Sequence, residues 1–408
     1  MKRDYDIIIA GGGPAGATAA LAAARSGIRV LLIDKRHFPR DKICGDAVAR
    51  KSLGYLRALG LLDGVLAETH EPIGAAILGA PDGTSLHFDL TETPPGGGEP
   101  TYPHIVCRRE VFDRVLFEAA KREADVIEGR AVNDILVKDG VVCGVVCDKR
   151  RITAGVVIAA DGYNSIIARK MGLYEYNSRR WYVATRAYYR ELDCPPQTVE
   201  VHFTDETLPG FLWMFPCGDG ITNVGLGMIQ RDIKRRRVTI RNVHESIIKS
   251  PRFRARFERA VPIDSIHGWT LPTPDFSRTI HGGGFLLAGD AAGLVDPFSG
   301  EGIGNAMGSG MIAAEVAAAA VKRGSYTAES LAEYPGRLWK ELDAGEIKLH
   351  YRLRSLARHG WLVSFIISRA AHHRDTLDWL TEMTARDGAV ARKQALTSPF
   401  TYLKLLFK

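Results

Sequence analysis

The sequence lacks any long apolar run. No stretch of about 18 consecutive apolar residues is free of glycine or charge, so the pattern predicts no membrane-spanning helix. Cysteine is also scarce, and the six residues, at positions 44, 107, 143, 147, 194 and 217, show no metal-ligand spacing. No secretory signal precedes the first apolar stretch. We therefore expect free thiols, no metal site and a reducing, cytoplasmic compartment.

Acidic residues are few at the end of the chain. The formal net charge is +7, and between Tyr351 and Lys408 ten Lys or Arg residues accompany only four acids. The same segment contains the apolar stretches Trp361–Ile367 and Phe400–Lys408. Such a mixture is typical of peripheral contact with an anionic membrane, here the inner face of the cell membrane, and equally of a solvated helical tail. No recognition motif accompanies the charge, which argues against nucleic acid.

What the chain does have is a strand, a glycine loop, a helix and a second strand at its beginning. The apolar residues 7–10 lead into Gly11, Gly13 and Gly16, and an alanine-rich helix follows. The second strand ends at Asp34. In such an arrangement the glycines let the backbone approach a pyrophosphate at the helix N-terminus, and the acid binds ribose hydroxyls. The pattern therefore predicts a dinucleotide-binding unit.

Later segments return to that unit. Buried-strand patterns end in Asp161-Gly162 and in Gly289-Asp290, while residues 182–228 are rich in strand-forming and aromatic residues. Strands near 125–138, 141–148 and 151–159 predict an antiparallel meander. We predict an α/β fold with α+β elements, in which a Rossmann-type domain is interleaved with an antiparallel-sheet substrate domain and followed by helices. The predicted ranges are 1–70, 100–180 and 265–335 for the first domain, 71–99 and 181–264 for the second, and 336–408 for the helical region.

Three motifs together resemble a flavoprotein group. They are the Gly11–Gly16 loop with Asp34, the segment Ala160–Ser165, and Gly289–Gly293 followed by Gly300–Ile303. This arrangement resembles the flavin-dependent group typified by para-hydroxybenzoate hydroxylase, which implies FAD as the cofactor. By the same resemblance, Asp290 meets the ribityl and pyrophosphate part of FAD, and the helix starting near Gly300 presents its N-terminus to the flavin ring.

Two further segments narrow the group. Pro39–Asp46 is similar to the P-x-x-K-x-C-G-D loop of geranylgeranyl reductases. Pro209–Pro216 with Asn223–Gly225 is similar to their P-x-x-Y-x-W-x-F-P…V-G segment. Phe211 stands where many members have tyrosine, so a hydrogen bond from that phenol is absent here. The resemblance extends to about residue 320.

The resemblance implies a set of cofactor-binding residues. It comprises Gly11, Gly13, Ala15, Gly16, Asp34, Lys35, Cys44, Gly45, Ala47, Arg108, Ala131, Val132, Asp161, Gly162, Asp290, Gly300, Gly302 and Ile303. Arg109 is the alternative to Arg108 as the arginine before a helix that contacts FAD. Asp46 and Glu301 also stand in loops near the flavin, where they either tune the ring or form structural salt bridges.

The substrate is predicted to meet an extended aromatic segment. The predicted pocket residues are Phe211, Trp213, Phe215, Pro216 and Gly225. Alternate residues of a strand point to one side, so the three aromatic rings suit the wall of a pocket for a long apolar chain, although core packing also explains them. Cys44 is the candidate catalytic residue. It is either a proton donor, with bound water as the competing donor, or a flavin-proximal thiol that only packs.

We therefore expect an FAD-dependent reductase that saturates double bonds of geranylgeranyl or polyprenyl chains by hydride transfer from reduced flavin. The expected substrate is a membrane lipid of the archaeal digeranylgeranylglycerophospholipid type or a prenylquinone. The alternative is a flavin-dependent hydroxylase or halogenase acting on a hydrophobic substrate. A non-catalytic electron carrier is disfavoured because no iron–sulfur ligand spacing is present. The external reductant stays open between NADPH, ferredoxin and another reduced carrier, including a donor protein, since no second glycine loop is evident.

Overall fold

The computed structural model describes residues 3–91 and 101–373. These residues form 20 β-strands and 11 α-helices. The strands are β1 (Ile7–Ala10), β2 (Val30–Ile33), β3 (Ala47–Val48), β4 (Glu71–Ile73), β5 (Ala75–Gly79), β6 (Ser85–Asp89), β7 (His104–Val106), β8 (Asp125–Ile127), β9 (Val132–Lys138), β10 (Val141–Cys147), β11 (Arg150–Thr153), β12 (Val156–Ala159), β13 (Tyr182–Arg190), β14 (Thr198–His202), β15 (Leu212–Pro216), β16 (Ile221–Ile229), β17 (Val261–Pro262), β18 (His267–Leu271), β19 (His281–Gly282) and β20 (Phe285–Leu287). The helices are α1 (Pro14–Arg25), α2 (Arg50–Ala58), α3 (Leu62–Leu66), α4 (Arg109–Glu123), α5 (Ile166–Lys170), α6 (Gln230–Arg236), α7 (Ile240–Ile248), α8 (Ile303–Arg323), α9 (Glu333–Glu341), α10 (Ala344–Leu356) and α11 (Gly360–His372).

A six-stranded sheet carries the glycine loop. Its order is β19-β20-β12-β1-β2-β8, and all neighbours are parallel except β19 and β20. Ile7 lies opposite Val156 on one side and Val30 on the other. β1, β2 and β12 are buried along their whole length, as strands in the middle of a parallel sheet are. α1 packs against α4 and α8, so three helices surround the loop that follows β1.

An eight-stranded sheet contains the aromatic segment that is predicted to meet the substrate. Its path is β17-β13-β16-β15-β14-β5-β6, with β18 also paired to β13, and all neighbours are antiparallel except β14 and β5. Leu212 and Met214 of β15 belong to an apolar cluster shared with α7. Phe211 and Phe215 belong to a second apolar cluster shared with α11. The alternation along β15 thus separates two apolar layers.

The antiparallel region between 125 and 159 is smaller than predicted. The predicted meander is wrong at both ends, because only β9, β10 and β11 form the antiparallel sheet. β8 pairs with β2, and β12 pairs with β1, in the six-stranded sheet. The four residues of β12 are all buried, which fits a central parallel strand and not a half-exposed meander strand.

The eight-stranded sheet also extends further along the chain than predicted. β18 pairs with β13 in this sheet, although the predicted ranges assign residues from 265 onward to the first domain. β18 is short and half-exposed or exposed throughout, so its apolar pattern carries little signal of the sheet it joins.

Helices complete the described part of the chain. Asp343 caps α10, its carboxylate accepting hydrogen bonds from the backbone amides of Gly345 and Glu346. The predicted α/β fold with an interleaved antiparallel sheet and a helical C-terminal region is confirmed. Within residues 3–91 and 101–373, no helix has the length and apolar character needed to cross a bilayer. The predicted membrane-contact stretch Phe400–Lys408 lies outside the described residues.

Candidate active site

The glycine loop after β1 is defined by steric necessity. Gly11 has φ 101°, and a Cβ there would lie 2.3 Å from the Ala160 carbonyl oxygen. A Cβ on Gly16 would lie 1.7 Å from the Gly11 carbonyl oxygen. Gly13 differs, because its nearest neighbour would be the Arg40 Nη2 atom at 3.4 Å. Two glycines are therefore required by the fold itself, whereas the third leaves space in front of the α1 N-terminus for a ligand.

Asp34 braces this loop from the end of β2. Its carboxylate is 7% exposed and accepts hydrogen bonds from the Gly12 amide at 2.6 Å and the Arg36 amide at 2.8 Å. The Arg130 amide donates to the Asp34 carbonyl oxygen at 3.1 Å, which brings the following Ala131 and Val132 alongside. Asp34, Ala131 and Val132, which are all predicted to bind the nucleotide, are thus neighbours at the end of β2. The adjoining Lys35, also predicted to bind it, is exposed.

Two further predicted carboxylates follow strands of the same sheet. Asp161 Oδ2 accepts from the Ile166 amide at 2.8 Å, while its buried Oδ1 has no partner among the described residues. Burial raises the pKa of Asp161. Asp290 follows β20, and its Oδ2 lies 3.9 Å from the Lys42 ammonium. Gly289 has φ 58°, and a Cβ there would lie 3.1 Å from Ala15 and 3.3 Å from Ala306, so this segment sits where α1 and α8 meet.

These residues fit FAD. The α1 N-terminus offers backbone amides to a pyrophosphate, and the open side of Gly13 leaves room for it. The unpartnered Asp161 oxygen is an acceptor for a hydroxyl of the ribityl or ribose type. Gly162, next in the chain, has φ 86°, with no atom within 4 Å of an added Cβ.

A tight loop leads into the N-terminus of α8. The Asp296 carboxylate accepts from the Phe298 amide at 2.9 Å and the Ser299 amide at 2.8 Å, and its other oxygen pairs with His350 Nδ1 at 2.5 Å. Burial opposes ionisation of Asp296, but the His350 contact and these amides hold its pKa below the usual value. Gly300 has φ 75° and open space beside it, Gly302 is the N-cap, and Ile303 begins α8. The helix end predicted to meet the flavin ring is therefore rigidly placed.

The Cys44 loop is tied to the eight-stranded sheet by buried polar groups. The Asn223 side-chain amide donates to the Cys44 carbonyl oxygen at 2.8 Å and to Asp46 Oδ2 at 2.7 Å. The Tyr188 hydroxyl donates to the same Asp46 oxygen at 2.6 Å. Asp46 has φ 63° and immediately precedes Ala47, the first residue of β3. The side chain of Asp46 therefore works as a structural acceptor, and no salt bridge of Asp46 is found among the described residues.

Asp46 also has unusual acid–base behaviour. It is fully buried, and its Oδ1 has no partner among the described residues. Burial raises the pKa of Asp46 to about 6, against the opposing effect of the Tyr188 and Asn223 hydrogen bonds and of Arg186. A carboxyl that titrates near neutrality thus lies two residues from the candidate catalytic thiol.

The two adjacent arginines have different surroundings. Arg109, in the first turn of α4, is 5% exposed and pairs with Asp113 at 2.7 Å. Burial disfavours its charge, yet Asp113 and a hydrogen bond to Cys44 raise the pKa of Arg109 above its ordinary value. Arg108, the N-cap of α4, turns outward and pairs with Glu110 at 2.7 Å. The sequence leaves open which of these two arginines lies at the site. In the structure it is Arg109 that contacts the Cys44 loop, which is called the thiol loop below.

The predicted aromatic residues form a row on one side of β15. Ring centroids lie 6.4 Å apart for Phe211 and Trp213 and 6.3 Å apart for Trp213 and Phe215. A Cβ on Gly225 would lie 2.1 Å from the Trp213 ring, so only glycine leaves room for this tryptophan. A Cβ on Gly45 would lie 3.4 Å from both Trp213 and Phe215. The prediction that these three rings share one side is confirmed, and the thiol loop lies against them.

The remaining predicted pocket residue marks the end of the row. Pro216 is the last residue of β15 and pairs with Thr222 of β16. The Trp213 Nε1 atom donates to the Asn223 side-chain oxygen at 2.8 Å, which joins the aromatic row to the Asp46 network.

Sequence reasoning missed several residues of this site. Tyr188 and Asn223 carry the hydrogen bonds of the Cys44 loop, and Lys42 lies 4.6 Å from the Trp269 ring centre. Burial lowers the pKa of Lys42, while Asp290 acts in the opposite direction. One signal was available, since an asparagine at the start of the mostly apolar segment that forms β16 needs hydrogen-bond partners once the strand is buried. No metal-binding group of His, Cys, Asp or Glu side chains occurs in the described part of the chain.

Comparisons with known proteins agree with this geometry. The family model described as an FAD binding domain matches residues 4–337. Digeranylgeranylglycerophospholipid reductase 2 of Methanothermobacter thermautotrophicus is 34% identical over 349 residues, which cover 83% of this chain and 84% of that protein.

Two solved structures share the fold. A geranylgeranyl bacteriochlorophyll reductase-like protein from Thermoplasma acidophilum has a TM-score of 0.76 at 24% identity, over 98% of this chain and 95% of that one. A triple mutant of a flavin-dependent brominase has a TM-score of 0.74 at 22% identity, over 96% of this chain and 97% of that one. Because both proteins are less than 25% identical to this chain, these similarities establish the fold and carry no statement about function. The extent of the family match and of the curated relative shows that the chain is an FAD-dependent oxidoreductase and belongs to the family of the digeranylgeranylglycerophospholipid reductases.

Proposed function

We propose that this protein saturates carbon–carbon double bonds of geranylgeranyl chains carried by a membrane glycerophospholipid. The observation that carries the proposal is the contact between the Cys44-Gly45 loop and the aromatic row of Trp213 and Phe215. This contact supports a position of the loop that carries Cys44 between the aromatic row and the predicted flavin site. The name of the curated relative supports the same substrate class.

The reaction needs a hydride at one alkene carbon and a proton at the other. Bound FAD in its reduced form supplies the hydride. The Cys44 thiol supplies the proton, and its hydrogen bond with the buried Arg109 side chain orients it. Asn223 and Asp46 hold the loop that carries the thiol, so this loop keeps a fixed position against the aromatic row.

The surroundings suit a long apolar chain. Phe211, Phe215 and Phe298 pack in one cluster with the buried side of α11, and Phe298 belongs to the loop that leads into α8. An apolar chain lying along these rings excludes water from the reacting carbons. A halogenase or hydroxylase of the same fold needs oxygen chemistry instead, and the products distinguish the two functions.

The test is anaerobic incubation of the reduced, FAD-loaded protein with digeranylgeranylglycerophospholipid, followed by mass spectrometry. We expect products heavier by two hydrogens for each double bond reduced. In a parallel aerobic reaction, oxygen consumption with a product heavier by one oxygen atom contradicts reduction and supports the hydroxylase. Supplying NADPH and reduced ferredoxin in separate reactions with the oxidised protein identifies the electron donor.

The proton donor is tested by Cys44→Ser, with Cys143→Ser as a matched control. Cys143 is likewise half-buried, but it lies in β10 of the three-stranded sheet and donates to the Leu136 carbonyl oxygen. We expect Cys44→Ser to keep its bound flavin and to lose at least about tenfold in alkene reduction, whereas the control keeps both. Unchanged turnover in Cys44→Ser assigns the proton to a bound water.

Membrane contact belongs to the same proposal. Trp361 and Phe365, one turn apart on α11, are 72% and 41% exposed. Exposed aromatic side chains on one helix face suit the interfacial region of a bilayer. We place the protein in the cytoplasm, at the inner surface of the cell membrane, where its lipid substrate lies. Binding of Trp361→Ser to anionic vesicles, compared with wild type, tests this location.

A further inference from the structure

A groove beside α10 concentrates positive charge away from the thiol loop. It has a volume of about 580 Å³, and seven of its ten lining residues are Lys or Arg. They come from three parts of the chain: Arg179 and Arg180 before β13, Arg231 in α6, and Lys348, Arg352, Arg354 and Arg358 in or just after α10. Such a concentration of one charge sign attracts anions.

Carboxylates neutralise only part of this charge. Asp275 pairs with Arg180 at 3.1 Å, and the buried Asp232 pairs with Arg358 at 2.9 Å. Asp232 also lies 3.7 Å from Arg231. The other four cations, Arg179, Lys348, Arg352 and Arg354, have no carboxylate within 4.0 Å among the residues that the structure describes. The groove therefore holds an excess of guanidinium and ammonium groups, which are the preferred partners of phosphate.

The groove adjoins the loop at the α8 N-terminus. On α10, His350 pairs with Asp296 of that loop, while the next residue, Tyr351, lines the groove. Arg354 lies over the Tyr182 ring at 5.7 Å, and the Tyr182 hydroxyl donates to the Pro297 carbonyl oxygen at 3.0 Å. A single side chain thus separates the basic groove from the loop predicted to meet the flavin.

The groove also adjoins the apolar cluster. Ala357, between Arg354 and Arg358 in the chain, is buried in the cluster that contains Phe211 and Phe215. The chain therefore passes from basic groove to apolar layer within one helical turn. An amphipathic ligand with an anionic head and apolar chains matches this juxtaposition.

We propose that the basic groove binds the phosphate ester of the lipid head group and so positions the prenyl chains along the aromatic row. This inference rests on the proposed function, because it assigns a site for the substrate's head group. The phosphate of a nucleotide electron donor has the same chemistry, and the experiment separates the two sources.

The test uses the double variant Arg179→Gln/Arg352→Gln in the FAD-loaded enzyme. Both arginines are exposed, so the variant is expected to fold. The matched control is Arg150→Gln/Arg151→Gln, which removes the same charge from exposed positions in β11. The assays compare digeranylgeranylglycerophospholipid with the same lipid lacking its phosphate, digeranylgeranylglycerol.

We expect the double variant to raise KM for the phospholipid about tenfold with kcat unchanged, and to leave KM for digeranylgeranylglycerol within about twofold of wild type. The control variant leaves both values unchanged. A phospholipid KM within about twofold of wild type overturns the proposal, as does an equal rise in the control. A change confined to KM for NADPH also overturns it and assigns the groove to the nucleotide.

A binding measurement keeps this inference separate from the proposed function. Titration calorimetry of the oxidised, FAD-loaded protein with glycerol 1-phosphate reports on the groove without turnover. We expect the double variant to bind about tenfold more weakly than wild type and the control. If wild type reduces neither lipid, the proposed function fails, and equal binding by all three proteins then overturns the groove as well.

Discussion

The glycine loop and the aromatic row place a ligand by opposite means. In the loop, close backbone approaches exclude side chains: a Cβ on Gly16 would meet the Gly11 carbonyl oxygen at 1.7 Å. In the row, side-chain hydrogen bonds fix the position. Trp213 donates to the Asn223 side chain, and Asn223 in turn donates to the Cys44 carbonyl oxygen. The loop depends on close approaches between backbone atoms, whereas the row depends on side-chain contacts between separate segments. We therefore expect abrupt failure from changes in the loop and graded effects near the row.

The largest expected effect is in the loop. Gly16→Ala forces a side chain into the backbone of Gly11, so we expect loss of more than about 4 kcal/mol of unfolding free energy and little soluble protein. Gly13→Ala is the matched comparison, because its Cβ meets nothing closer than an arginine Nη2 atom at 3.4 Å. We expect it to fold normally and to bind FAD at least about tenfold more weakly. Thermal unfolding and flavin absorbance after gel filtration measure the two effects.

The distinction between a structural Gly16 and a ligand-facing Gly13 is contradicted if the two variants have the same stability and the same affinity for flavin. Equal stability of Gly16→Ala and wild type contradicts the steric argument. Undiminished flavin binding by Gly13→Ala places the pyrophosphate elsewhere.

The next effect concerns the ion pair beneath the thiol loop. Arg109→Met leaves the buried Asp113 with Arg40 as its remaining partner, at 2.8 Å, so we expect a loss of about 3 kcal/mol. Arg108→Met removes the same charge from a half-exposed pair with Glu110, and a loss under about 1 kcal/mol is expected. Urea denaturation of both variants gives the free energies. Similar losses for the two variants contradict the different roles assigned to these arginines.

The two regions also differ in how far the sequence predicts them. The glycine loop with Asp34 is recognisable because its steric requirements act over a short stretch of chain, and Ala131 and Val132 follow only from resemblance. The network of Asp46, Tyr188 and Asn223 joins segments up to 177 residues apart, so no local sequence pattern indicates it. The basic groove likewise draws on three parts of the chain.

The same reasoning explains the errors of local structure. The apolar pattern before Asp161-Gly162 predicts a return to the dinucleotide-binding unit, but strand spacing alone does not separate β12 from the antiparallel strands before it. Its pairing with β1 and its burial on both faces do. The choice between Arg108 and Arg109 depends on which way each side chain leaves the first turn of α4, and that direction is set by Asp113 and Glu110. Strand pairing and side-chain direction are tertiary properties, which short-range spacing does not encode.

The most gradual expected effect is the pH dependence of Asp46 beside the aromatic row. Burial raises the pKa of Asp46 to about 6 from 3.8, so the folded state binds its proton more tightly than the unfolded chain. The stability that this proton confers is complete below pH 3.8 and is lost as pH rises through about 6, by up to about 3 kcal/mol. Asp46→Asn keeps an oxygen for Tyr188 and Asn223 and tolerates the same backbone conformation, but it does not titrate.

The difference in unfolding free energy between Asp46→Asn and wild type is therefore expected to change with pH in one direction. Relative to wild type, the variant gains stability between about pH 4 and pH 7 and gains no more above that range, because the carboxylate is then fully ionised. Any fixed cost of the amide shifts the whole curve and leaves its slope unchanged. Urea titrations of both proteins at matched pH values measure this slope. A difference that is flat with pH means that Asp46 ionises freely, and the carboxyl beside the thiol loop then lies in contact with water.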